Sequence, residues 1–230
     1  MGAALSMRHA NEFLHALALV PLTLLPIINP LAGAPVFSMT AGPDPVIGRR
    51  FARQVAINCW LILVGSLFVG TYLLELFGIS LPIVRVGGGL LVAASAWRML
   101  NSGDEDEVRA AVTRAQRAAL SRSDVVKRSL FPLTFPLTTG PGTIATAIAI
   151  GAGLPRQPTL YAVQALVVLL GATLTVAVIY LVYRNAAWLM ARIGEVGSLV
   201  MTRLMAFVLL CIGIQILWTG WTELNQAIGG

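Results

Sequence analysis

The chain has 230 residues, 57% of them hydrophobic and 11% charged, with a mean hydropathy of +0.81. A soluble domain of this length needs far more surface charge, and apolar runs able to cross roughly 30 Å of hydrocarbon recur, so the composition specifies an all-α polytopic membrane protein. The net charge of +6 suits such a protein, whose Lys and Arg gather in cytoplasmic loops, and does not call for nucleic acid as a partner.

Six apolar segments predict six transmembrane helices, at about 13–40, 55–77, 83–100, 130–151, 160–183 and 204–221. The first contains Leu31-Ala32-Gly33-Ala34, which resembles a signal-peptide cleavage site. Pro35 would follow the cut and disfavours it, and only Arg8 and Glu12 precede the run, so we read a retained first span. The same segment carries PLTLLPIINP from Pro21 to Pro30, three prolines in ten residues. Gly78-Ile79-Ser80-Leu81-Pro82 forms a short turn between the second and third segments.

Residues 101–128 make the one long polar stretch, opening with Asp104-Glu105-Asp106-Glu107 and closing on Lys127-Arg128. Acid first and base last complement a helix dipole, so a solvated linker helix is expected, with a partner-binding element as the alternative. The fourth segment then repeats the proline pattern as PLTFPLTTGP, Pro132 to Pro141. A tight connection, Gly153 to Pro158, leads into the fifth.

With six spans, the loops after the first, third and fifth lie on one side. They hold Arg49, Arg50, Arg53, six basic residues of the linker, Arg184 and Arg192. This places the linker in the cytoplasm and both termini outside.

Placing Pro21 on Pro132 aligns Thr23 with Thr134 and Pro30 with Pro141; Arg85 and Arg203 open the third and sixth spans alike. The chain therefore reads as a first three-helix repeat (1–100), a linker (101–128) and a second repeat (129–230). Three crossings per half make the repeats inverted. The first and fourth helices are expected to be broken, because proline removes an amide donor and clashes with the preceding turn. Broken backbone survives in a bilayer only where protein or a water-lined cavity satisfies it.

Asn29-Pro30 supplies a cap and first-turn pair for a new half-helix, and Thr139-Gly140-Pro141-Gly142-Thr143 does the same with a more pliable backbone. The positive ends at Pro30 and Pro141 would offer donors to a small polar or anionic solute, with Asn29, Thr138, Thr139 and Thr143 as side-chain groups. The bland alternative is a pair of kinks that only shape packing. Arg85 and Arg203 either snorkel to headgroups or turn inward toward the breaks.

Other chemistry is not indicated. Cys59 and Cys211 stand alone, His9 and His15 lie near the amino end, and Glu75 is the one acid in or near a segment. No metal set, cofactor motif, nucleophile–base pair or P-loop appears, so neither an enzyme nor a cofactor is expected. Asn58, Gln164, Thr173, Thr175 and Gln215 read as interhelical hydrogen-bonding residues. Gly87, Gly88, Gly89, Ala93 and Gly213 permit close packing within or between subunits, leaving a homo-oligomer open.

The stretches Asn29-Pro30-Leu31-Ala32-Gly33-Ala34-Pro35-Val36-Phe37 and Phe131 to Ile144 resemble the two signatures of the MarC family of bacterial inner-membrane proteins. Phe77-Gly78-Ile79-Ser80 and Thr202-Arg203-Leu204-Met205 resemble further family stretches. The residues carrying the likeness are Asn29, Pro30, Gly33 and Pro35, then Pro136, Thr139, Gly140, Pro141, Gly142 and Thr143. The resemblance implies six spans, the inner membrane, and distant kinship to LysE-type exporters, but no substrate. Three functional classes follow. A secondary transporter, in the export direction, would bind solute between the two breaks. A membrane scaffold docking a cytoplasmic partner would depend on residues 104–126 and not on Gly140. An intramembrane enzyme would depend on the cysteines.

Overall fold

The computed structural model describes residues 17–42, 44–101, 129–155 and 157–228. The expected linker helix, Arg8, His9 and His15 lie outside the described residues.

Helix α1 (Leu17–Ile28) meets α2 (Pro30–Ala41) at Asn29, where the axis bends by 50°. Asn29 adopts the left-handed conformation (φ 45°, ψ 62°), and its side chain accepts a hydrogen bond from the Ala32 N–H at 3.3 Å. Pro30 fits the first position of α2, where an N–H is not needed. Helix α3 (Pro45–Leu76) starts from Asp44, whose carboxylate accepts from the Val46 N–H at 2.8 Å. It begins ten residues before the expected span, because Arg49, Arg50 and Arg53 end the apolar run without ending the helix. Gly78, at φ 66°, makes the turn into α4 (Leu81–Asn101).

The fourth expected span takes another form. Residues Ser129–Thr138 wind as a π-helix, and a separate α5 (Pro141–Ala152) follows. Pro132 and Pro136 lack amide donors, and three threonine hydroxyls of the segment bond back to its carbonyls. Thr134 Oγ1 donates to the Ser129 carbonyl (2.7 Å), Thr138 Oγ1 to Leu133 (2.6 Å) and Thr139 Oγ1 to Thr134 (3.0 Å). Each bond reaches five residues back, the π-helical reach, and leaves those carbonyls satisfied in a dry interior. Helix α6 (Pro158–Arg184) is uninterrupted, and α7 (Ala186–Ile228) is interrupted at Gly194, whose φ of 69° and ψ of 174° are not helical.

Among the described residues four helices are long and apolar enough to cross a membrane, and a fifth span results if the bent α1–α2 pair crosses as one. Their outward faces are apolar: Leu61 and Val69 on α3, Leu166 and Leu174 on α6, and Leu204 and Phe207 on α7 are all exposed. That pattern suits lipid and would be untenable in water.

Inside, Val20, Leu24, Phe37, Val55, Leu63, Leu133, Ile179 and Tyr183 belong to one buried cluster joining α1, α2, α3, α6 and the π-helix. Helices α4 and α7 approach backbone to backbone. A Cβ added at Gly89 would lie 2.7 Å from the Gly213 carbonyl oxygen, and one at Gly220 would lie 2.7 Å from that of Pro82. Helix α5 wedges against both α3 and α4: a side chain at Gly151 would collide with the Leu67 carbonyl, and one at Gly142 with Val92. Small residues thus let α3, α4, α5 and α7 pack closely.

Candidate functional site

Two chain breaks, each with a small or polar residue before a proline, border the buried interior of this bundle. At the first, every backbone hydrogen-bonding group of Asn29 is used: its N–H donates to the Leu25 carbonyl (2.8 Å), and its carbonyl accepts from Gly33 (3.3 Å). Its Oδ1 caps α2. The remaining group, Nδ2, is buried with no hydrogen-bond partner, although the residue is only 8% exposed. An orphan donor in such a place costs about 1–3 kcal/mol. Gly33 lies one turn into α2, and Pro35 is accommodated within the same short helix.

At the second break Gly140 is the extended N-cap of α5, with no side-chain cap. Thr139, expected as a donor there, turns back to the Thr134 carbonyl and abuts the Cys59 thiol. Thr138, Thr139 and Thr143 are all buried, and Pro141 and Gly142 form the first turn of α5 against α4. Asn58, on α3, lies 3.4 Å from both Ser129 Oγ and Thr134 Oγ1, and accepts from Gln54 at 3.2 Å. It serves the interhelical role expected of it.

Tyr183, near the end of α6, connects the two breaks. Its ring stacks on Phe37 of α2, with centroids 4.7 Å apart and planes within 7°. Its hydroxyl lies 2.8 Å from Thr138 Oγ1. Since the Thr138 proton goes to Leu133, the Tyr183 hydroxyl is the donor in that pair. The same oxygen sits against Gly33, 2.5 Å from where a Cβ would be. Sequence reasoning passed over Tyr183 because a tyrosine at a helix end reads as an interfacial anchor; here it is 2% exposed.

The arginines are brought elsewhere. Arg85 pairs with Glu223 across the α4–α7 contact, and Arg203 donates to the Leu100 carbonyl at the opposite end of the same helix pair. Glu223 lay just past the last apolar run, and so was not counted among the acids near a span. A small cleft adjoins the first turn of α2, lined by Leu31, Ala32, Met190, Ile193, Met201, Thr202 and Met205. Its walls come from both sides of the Gly194 interruption, and its free volume of about 10 Å³ is the space of one water. Among the described residues no group of His, Cys, Asp or Glu could hold a metal ion.

The family described as "MarC family integral membrane protein" matches residues 14–224. Similar proteins include the "UPF0056 inner membrane protein MarC" of Escherichia coli (strain K12), 29% identical over 93% of this chain and 97% of its own length. Another is the "UPF0056 membrane protein YvbG" of Bacillus subtilis (strain 168), 28% identical over 86% of this chain and 90% of its own. No solved structure matches.

Proposed function

The chain belongs to the MarC family of integral membrane proteins, and from that premise we propose that it is a secondary transporter, working as an exporter, of a small polar or anionic metabolite across the bacterial inner membrane. The names of its relatives place such proteins in membranes and assign no activity. The observation that carries the proposal is the convergence of two interrupted helices on Tyr183, with buried polar groups at both ends and an unpaired donor at Asn29. Half-helix ends turned toward one another inside an apolar bundle are how transporters hold polar solutes at depth.

An inverted repeat is part of this reading, and the packing supports it. If α1–α2 corresponds to the π-helix with α5, α3 to α6, and α4 to α7, the main contacts of α2 and α5 pair up. The α2–α6 contact mirrors α5–α3, and α2–α7 mirrors α5–α4, while α3–α6 and α4–α7 map onto themselves. Arg85 reaching from α4 to α7, and Arg203 from α7 to α4, follow the same exchange. Alternating access would then come from one half rocking on the other, with both termini outside and the linker in the cytoplasm. No acid, nucleophile–base pair or metal set lies at the breaks among the described residues, which favours transport over catalysis.

The test is flux of a metabolite panel from liposomes containing the purified protein, with Asn29→Gly as control. Glycine tolerates the left-handed backbone and removes the donor. Efflux that falls in the variant supports the proposal. Silence across the panel from well-folded protein refutes it.

A further inference from the structure

The chemistry left open at the first break is narrow enough to name a ligand class. Asn29 Nδ2 is a donor without an acceptor, fixed over the first turn of α2 because Oδ1 of the same amide caps Ala32. That turn is the positive end of a 12-residue helix. Leu31 and Ala32, on the same turn, form one wall of the cleft, and three thioethers with Ile193 and Thr202 form the other. Among the described residues none of those lining these walls carries a charge, and the guanidinium of Arg85 is engaged with Glu223. Asn29 does not itself line the cleft, but it caps the turn that does through Ala32, so a solute there would meet the donor and the positive helix end with one group and flexible apolar surface with the rest.

We infer that the first break binds the carboxylate of a small solute whose short apolar body lies against Met190, Ile193, Met201 and Met205. This rests on the reading of the breaks as a solute site. A carboxylate oxygen would accept from Nδ2 and lie over the α2 dipole, which stabilises an anion far better than a neutral carbonyl. Methionine is the side chain best able to rearrange around such a body, because its three rotatable bonds and polarisable sulfur fit varied shapes. The cleft holds about one water as it stands, so admission requires its walls to part. Gly194, in a non-helical conformation between Ile193 and Met201, lies where that movement would hinge.

The experiment uses the full chain in lipid nanodiscs and three matched probes: isobutyrate, isobutyramide and isopropylammonium. Binding is read by calorimetry and by the shift in melting temperature. Isobutyrate is expected to bind at least tenfold more tightly than either other probe. Asn29→Asp keeps the helix cap and replaces the donor with a second anion, so it should lose isobutyrate binding by tenfold or more. Asn29→Gly, which keeps the backbone, should lose it too. Equal binding of the amide or the ammonium, retained binding in folded Asn29→Asp, or no binding of isobutyrate by wild type would each overturn the assignment. Flux of some other solute class from liposomes would then leave the transporter reading standing, and the absence of any flux would remove both.

Discussion

Replacing Gly33 with alanine should be harmful in the native chain and harmless once the Tyr183 hydroxyl is gone. The new methyl would lie 2.5 Å from Tyr183 Oη but 3.4 Å and 3.6 Å from the next ring atoms, so the clash is with the oxygen alone. The ring cannot retreat, since it stacks on Phe37 and is 2% exposed. Overpacking of this kind costs about 1–3 kcal/mol, and helix propensity returns up to about 1 kcal/mol when glycine becomes alanine. Gly33→Ala should thus destabilise by about 1–2 kcal/mol. Tyr183→Phe alone loses the bond to Thr138, at about 0.5–1.5 kcal/mol, and opens a small void beside Gly33. In the double variant the methyl occupies that void and the propensity gain remains, so adding Gly33→Ala to Tyr183→Phe should be neutral or stabilising. The coupling is about 2 kcal/mol in a double-mutant cycle, well above the error of such cycles. Heating the detergent-solubilised variants and measuring the folded fraction by size exclusion would give the four stabilities. If Gly33→Ala costs the same with and without the hydroxyl, Tyr183 does not link the two breaks and the convergence argument fails.

Glycines of α4 provide a matched pair on one helix. Gly89→Ala should weaken folding by about 2 kcal/mol or more, because backbone of α7 fills the space, whereas Gly87→Ala, facing open space, should be neutral or slightly stabilising. Thermal unfolding distinguishes them. Arg85→Gln and Glu223→Gln should each cost about 1 kcal/mol or less, since both side chains are a quarter to a third exposed, and the double variant should cost little more than either alone. At Gly194 a Cβ would meet nothing, so Gly194→Ala tests the backbone alone. At φ 69° and ψ 174°, a region essentially confined to glycine, it should cost roughly 1–3 kcal/mol, or straighten α7, which crosslinking between Cys substitutions at Met190 and Met205 would detect.

How much was legible beforehand follows from what each feature depends on. The membrane class and the starts of the half-helices at Pro30 and Pro141 depend on local chemistry, so hydropathy and the Asn29-Pro30 and Gly140-Pro141 pairs suffice for them. Hydropathy does not give the form of the fourth segment, because it measures composition. It is blind to a π-helix, in which the Thr134, Thr138 and Thr139 hydroxyls bond back to carbonyls five residues earlier. Tyr183 and Glu223 are different in kind, since their roles rest on partners 45 and 138 residues away, and no local pattern encodes which helix faces which. The arginines show the same limit: position near a span end left snorkelling and inward orientation equally open, and packing of α4 on α7 led to a third outcome. The repeat seen as matching prolines is also unequal in chemistry. The second break consumes its threonine hydroxyls internally, whereas the first leaves one amide donor unspent, so a carboxylate bound there would meet Asn29 before anything on the other half.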